Sequence, residues 1–410
     1  MPTDSRVLID HIRELIATPS VSSVSPEWDT PNTTVINNLA GRLESAGWQV
    51  EIQDIPDKPG KQNLIATLGK DLSNHLDNKE QGTNEAENKV GNQVENKGLV
   101  LSGHTDTVPC DDVLWTSDPF TLAEREQRLY GLGSADMKSF LAIAMHACAN
   151  IDPQKLTAPV ILLATADEES SMAGARALAA AGKPAARYAI IGEPTGLQPI
   201  RMHKGIFMES ITVKGQSGHS SDPGLGNNAL DGMQTVINEL QTWRDELRTG
   251  PLNEAFKVPY STLNLGHIHG GDNPNRICGE CELQIDLRFV PSLNKAELRA
   301  ELHQRLTQQL RNHDPELKLT FNSLFDGTQP MHTKAESELI KAAEAMTGQQ
   351  SGAVSYATEA PFLTSLGMDV VVLGPGSIDQ AHQPDEFLPL EQIQPTIEII
   401  QGLIKRFCMA

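Results

Sequence analysis

Apolar side chains recur at helical spacing over residues 6–17, where Leu8, Ile9, Ile12, Leu15 and Ile16 line one face before Pro19 stops the run. A second helix is expected at about 33–46, with strands near 49–53 and 63–68. The pattern then breaks. Residues 70–98 carry no aromatic side chain and few aliphatic ones, are rich in Asn, Glu and Lys, and echo Glu87-Asn88-Lys89 at Glu95-Asn96-Lys97. Such a stretch buries too little apolar surface to offset the entropy of ordering it, so a flexible surface insertion is expected.

Continuous apolar runs follow at 99–103, 159–166 and 189–192, with helices expected over 138–149 and from Ala173 to about Gly182. Buried strands alternating with helices predict an α/β domain whose largely parallel sheet is covered on both faces. From about residue 199 the pattern changes to a strand at 209–215, a helix at 229–246, strands near 261–268 and 276–289, a helix at 295–311 and a strand at 318–321. That β-α-β-β-α-β order predicts a ferredoxin-like α+β unit inserted into the first domain. The chain returns with a helix near 336–346, a strand at 368–373 and a closing helix at 392–407. The expected division is therefore 1–198 with 324–410 for the first domain and 199–323 for the second.

Composition narrows the function. Two domains suit 410 residues. A formal charge of −20 argues against nucleic acid and against anionic membrane surfaces. No apolar stretch approaches the roughly 18 residues of a membrane span. The opening Met1-Pro2-Thr3-Asp4-Ser5-Arg6 lacks a basic segment followed by an apolar one, and the 5 cysteines suggest no disulfide framework, so a reducing cytoplasm is the expected compartment. Cys278 and Cys281 have CxxC spacing without a second pair. On an alternating strand the two thiols would point to opposite faces, as small buried side chains.

The candidate chemistry lies where apolar runs or Gly-rich turns end. His104 and Asp106 follow the run at 99–103, Asp136 follows Gly133, Glu168 and Glu169 follow 159–166, Glu193 follows 189–192, and His382 lies in Ala381-His382-Gln383-Pro384-Asp385. In an open α/β sheet these are the positions that face the crevice beyond the strand ends. Two imidazoles with several carboxylates and no thiolate form the ligand inventory of a co-catalytic zinc site. Asp106 suits the ring nitrogen that His104 leaves free of metal. Asp136 either caps the helix that starts after it or bridges two cations, which need a shared carboxylate when about 3.5–4 Å apart. Of Glu168 and Glu169, one is expected as a ligand and the other as general base. Gly270-Gly271-Asp272-Asn273-Pro274-Asn275-Arg276 is a turn whose amide and guanidinium could clamp a carboxylate, or a plain turn with a surface arginine. His11, His146, His203, His267, His269, His313 and His332 have no carboxylate motif around them and read as structural or surface residues; His75 does too.

The order His-x-Asp, Asp-Met-Lys, Glu-Glu, Gly-Glu-Pro-Thr, Gly-His-Ser and a late His resembles the M20 family of dinuclear zinc amidohydrolases, and the likeness covers nearly all of the chain except 70–98. Ser139 stands where that family usually has Gly after Asp-Met-Lys. The resemblance implies a zinc-peptidase-like catalytic domain with an inserted lid and dimerisation domain. It implies His104 and Glu193 on one divalent ion, Glu169 and His382 on the other, Asp136 bridging, Glu168 as base and Asp106 behind the ligands. Zinc is the implied metal, with cobalt as an alternative. It further implies a homodimer in which His219 reaches the partner's active site, Asn275 and Arg276 on the substrate carboxylate, and a cis peptide after Asp136. The substrate so implied is a small N-acyl amino acid, N2-acetyl-L-ornithine first, with ornithine feeding arginine biosynthesis. Desuccinylation of succinyl-diaminopimelate and dipeptide cleavage are the alternatives within the family. A metal-free binding or scaffold protein would be marked by a lost ligand, and none is missing.

Overall fold

Four of the apolar runs become the centre of one sheet in the computed structural model, which describes residues 3–69 and 97–410. The insertion expected at 70–98 thus lies almost wholly outside the described residues. The chain opens with α1 (Thr3–Ile16) and α2 (Thr33–Ser45), then β1 (Gln49–Asp54), β2 (Gln62–Leu68) and β3 (Leu99–His104). The short strands β4 (Ala123–Arg125) and β5 (Arg128–Tyr130) precede α3 (Lys138–Cys148), β6 (Val160–Thr165), α4 (Ala173–Ala181) and β7 (Tyr188–Pro194). After β8 (Ile200–His203) come β9 (Gly205–Lys214), α5 (Ala229–Thr249), β10 (Thr262–Gly270), β11 (Glu280–Phe289), α6 (Lys295–His313), β12 (Lys318–Thr328) and β13 (Met331–His332). The rest is α7 (Glu338–Thr347), β14 (Gly352–Val354), α8 (Ala360–Ser365), β15 (Asp369–Gly374), β16 (Phe387–Pro389) and α9 (Ile393–Cys408).

Two units divide these elements. Met1–Arg201, Thr333–Gly352 and Glu359–Ala410 form the first; Met202–His332 and Ala353–Thr358 form the second. The sheet of the first runs β1-β2-β6-β3-β7-β15 and ends on Ile200 of β8, opposite Val372. Its middle strands β6, β3, β7 and β15 are parallel. Every residue of β3 and β6 is buried, which is why they read as unbroken apolar runs rather than alternating ones. The sheet is nevertheless mixed: β1, β2 and β8 pair antiparallel at its margins. A short connection from Asp54 to Gln62 makes β1 and β2 a hairpin, and hairpins are antiparallel. Gly192 in β7 has no room for a side chain, because a Cβ there would stand 2.1 Å from the Phe140 ring of α3. This close approach packs Phe140 of α3 against β7 at the residue before Glu193.

Helix α1 buries Leu8, Ile9, Ile12, Leu15 and Ile16, and with them His11. Burial, and secondarily the Arg42 charge, lowers the His11 pKa to about 4. Its folded value lies below its unfolded value of 6.5, so in that window the unfolded chain binds the proton more tightly. Stability from this residue is therefore lost as pH falls from 6.5 through about 4. A His11→Leu variant is expected to lose less stability than the wild type over that range, as read by urea midpoints at stepped pH.

In the second unit the connectivity β9-α5-β10-β11-α6-β12 gives the sheet order β10-β11-β9-β12 with all neighbours antiparallel, the ferredoxin-like arrangement expected from the pattern. Phe207, Ile211, Leu283, Ile285 and Leu287 on one sheet face form a core with Val236 and Leu240 of α5 and Leu302 and Leu306 of α6. Strand β12 continues past the expected 321 to Thr328, through two register irregularities, one at Leu324 and one that absorbs Asp326 and Gly327. Position 323/324, where the two domains were expected to divide, therefore lies inside a strand. Cys278 precedes β11, so the expected alternation does not govern both thiols; Cys278 and Cys281 are buried in this core and free. Among the described residues no helix is long and apolar enough to cross a membrane.

Candidate metal centre

Because β6, β3, β7 and β15 are parallel, their carboxyl ends lie along one edge of the first unit's sheet. His104 is the last residue of β3, Glu168 and Glu169 form the turn after β6, Glu193 lies near the end of β7, and His382 lies in the loop after β15. Asp136 joins them from the turn that precedes α3. Its carboxylate does not cap that helix, whose N-cap is Met137 without a side-chain cap bond. The Asp136–Met137 peptide is cis.

The side chains converge. His104 Nε2 lies 2.9 Å from Asp136 Oδ1 and 4.0 Å from Glu193 Oε2. His382 Nε2 lies 3.0 Å from Glu169 Oε2 and 3.5 Å from Asp136 Oδ2. Asp136 thus faces both imidazoles, one with each oxygen. Among the described residues two sets have ligand atoms within 4.8 Å of one another: His104 with Glu168 and Glu193, and His104 with Asp136 and Glu169. Only 1% of the His104 side chain is exposed, against 51% of His382. One end of the cluster is enclosed by the sheet and the other opens outward.

Electrostatics shows what this donor set wants. Burial would push the His104 imidazole towards neutrality, but Asp136, Glu193 and Asp106 outweigh it and hold the pKa well above the ordinary value. Hydrogen bonding to Glu169 raises His382 to about 9. Burial, reinforced by neighbouring carboxylates, raises Glu168 and Glu193 well above the carboxylate range. Crowded, buried carboxylates that must borrow protons and imidazolium charge lack positive charge, and divalent cations would supply it. The tautomer fits as well. His104 Nδ1 donates to the Asp106 main-chain carbonyl at 3.0 Å, which in the neutral ring leaves the Nε2 lone pair facing the carboxylates. The arrangement can therefore hold metal through two imidazoles and several carboxylates.

Asp106 was expected to orient His104 through its carboxylate. The structure gives that contact to the Asp106 carbonyl, since Oδ1 stands 3.8 Å from Nδ1. Asp106 Oδ2 instead accepts the Glu169 main-chain N–H at 3.0 Å, so this residue ties the β3 end to the Glu168-Glu169 turn. Three further groups support the site without having been singled out from sequence. Asp167, at φ 57°, bonds buried Lys61 at 2.9 Å and accepts Ser22 Oγ at 3.0 Å, which anchors the same turn. Glu359 accepts Ser102 Oγ at 2.5 Å beneath β3. Glu386 binds the main chain around Asp136. Only adjacency to Glu168 could have flagged Asp167; the other two gave no local signal. Gly133 makes the Asp136 turn possible, with φ 80° and a Cβ position 2.9 Å from both Lys138 and Thr107 side-chain atoms.

The remaining sequence candidates lie together in the second unit. His219 and Arg276 form an isolated antiparallel bridge, and Asn275 carbonyl accepts Ser220 N–H at 3.0 Å. His219 Nδ1 accepts from Ser221 Oγ at 2.7 Å, while Arg276 pairs with Asp272. Arg276, Asp272, His269 and Glu282 line a cavity of about 410 Å³.

Known proteins resemble this chain over nearly its whole length. Acetylornithine deacetylase from Proteus mirabilis (strain HI4320) is 46% identical over 402 residues, covering 98% of this chain and 97% of the relative. Acetylornithine deacetylase from Photorhabdus laumondii subsp. laumondii is 44% identical with the same coverage. Among solved structures, a tripeptidase from Staphylococcus aureus superposes with a TM-score of 0.72 at 17% identity, covering 99% of this chain and 98% of that one, a likeness of fold. The sequence pattern of peptidase family M20/M25/M40 matches residues 100–406. The chain belongs to peptidase family M20/M25/M40.

Proposed function

We propose that this chain hydrolyses N2-acetyl-L-ornithine to L-ornithine and acetate, using two divalent metal ions held by the cluster at the sheet edge. The observation that carries the reading is Asp136 set between His104 and His382. His104 and Glu193 would hold one ion, Glu169 and His382 the other, and Asp136 both, with zinc the first candidate and cobalt the second. When bound, the ions lower the pKa of water and polarise the acyl carbonyl. The substrate follows from the two deacetylases that share close to half of this chain's residues over 98% of its length.

Glu168 is the general base. Its carboxylate takes a proton from the attacking water and returns it to the leaving α-nitrogen, which departs as the amine. Burial raises its proton affinity, which suits a group that must hold a proton between those steps. Asp106 steadies the turn that presents it. His219, from the second unit of a partner subunit, steadies the negative charge that develops on the acyl oxygen. Asn275 and Arg276 hold the substrate α-carboxylate. The unit of Met1–Arg201, Thr333–Gly352 and Glu359–Ala410 would be the catalytic domain of a cytoplasmic homodimer that supplies ornithine to arginine biosynthesis.

A substrate panel tests the assignment. N2-acetyl-L-ornithine is expected to exceed N-succinyl-diaminopimelate and simple dipeptides by at least about 10-fold in kcat/KM, the discrimination of one modest pocket contact. A higher kcat/KM for the succinylated compound or for a dipeptide would overturn the substrate assignment within the family.

A further inference from the structure

Glu386 is buried in the loop that carries His382, and its carboxylate is spent on main chain. Oε1 accepts the N–H groups of Ala135 at 2.7 Å and Asp136 at 2.9 Å, and Oε2 accepts that of Gly133 at 3.0 Å. The Glu386 carbonyl accepts Gly131 N–H at 3.0 Å and Ser134 Oγ at 3.3 Å. Three N–H groups of one turn thus converge on this carboxylate, as in a nest, and the positive φ of Gly133 lets the turn close around it. On the far side of the loop, Asp385 Oδ1 accepts Thr116 N–H at 3.0 Å, and both Asp385 and His382 sit at positive φ. The His382 loop is thus pinned at Glu386 to the turn bearing Asp136, some 250 positions earlier.

We propose that Glu386 is a positioning residue of the metal centre, fixing Asp136 and His382 relative to one another so that two cations can be held between them. The claim rests on the metal-centre reading above and not on the identity of the substrate. Groups behind the ligands typically change metal affinity by about 10- to 100-fold. Glu386→Gln keeps one acceptor oxygen but turns an NH2 group towards an N–H donor, and Glu386→Ala leaves all three donors unanswered.

The test is calorimetric titration of metal-stripped full-length wild type and both variants with zinc ions, alongside circular dichroism and thermal melting. Folded variants are expected to bind at least one of the two ions about 10- to 100-fold more weakly than wild type, Ala more so than Gln. Should Glu386→Ala not fold, Glu386→Gln, which keeps the side-chain volume, carries the comparison alone. Zinc constants equal to wild type, even with a lower melting temperature, would overturn the proposal and leave Glu386 a stabiliser of the turn. Failure of the metal-centre reading would look different: the wild type itself would bind no zinc, whereas rejection of acetylornithine would leave the zinc titration untouched.

Discussion

Replacing Glu168 with Gln is expected to cut acetate release by about 10²–10⁴-fold while the protein keeps its full metal content. Gln matches Glu in shape and retains an oxygen, but it cannot take and return a proton. The metal measurement matters because the Glu168 carboxylate also lies within 4.8 Å of the donor atoms of His104 and Glu193. A base and a third ligand are both compatible with that position. If the variant loses zinc together with activity, Glu168 is a ligand and the base must be sought elsewhere. If zinc stays and turnover collapses, the carboxylate moves protons. Normal turnover would remove it from the chemistry altogether.

Asp136→Ala is expected to act on metal first. The wild-type carboxylate faces His104 with one oxygen and His382 with the other, so its removal takes a ligand from both proposed ions at once. The four remaining ligands, two per ion, would also lose the group that screens the ions from each other. Purified variant should retain less than one zinc per chain, and turnover should fall by about 10³-fold or more, equivalent to roughly 4 kcal/mol of lost transition-state stabilisation. Elemental analysis with parallel acetate assays reads both effects. Two zinc ions per chain in this variant would contradict the bridging role.

The legible part of the site was that delivered by local pattern. His104, Glu168 and Glu193 each end or follow an apolar run, and a parallel sheet sets such ends along one edge. His382 follows β15 in the same way. What stayed hidden is defined by contacts remote in sequence. Glu386 does its bonding with main-chain donors about 250 positions away, and a carboxylate next to a turn resembles any solvated one. Lys61 and Asp167 likewise meet only in the fold. Main-chain groups carry no residue-type signal, so the sequence points to the Asp106 carboxylate where the fold uses its carbonyl.

The fold shows the same boundary between what is local and what is not. Periodicity located most of the longer helices and the apolar strands, and the order of elements gave the ferredoxin-like unit. The largely parallel centre of the sheet follows from the buried apolar runs, whereas the antiparallel pairings of β1 with β2, β2 with β6 and β15 with β8 at its margins leave no mark in apolar periodicity. The three-stranded sheet β16-β5-β4 is built from segments of three residues, too short to show alternation. Polar residues within β12 masked its length.

A cluster that holds two ions is tested directly by anomalous diffraction from zinc-soaked crystals. Two peaks are predicted, one among His104, Asp136 and Glu193 and the other among Asp136, Glu169 and His382. Density for zinc elsewhere on the chain with none at these side chains would contradict it.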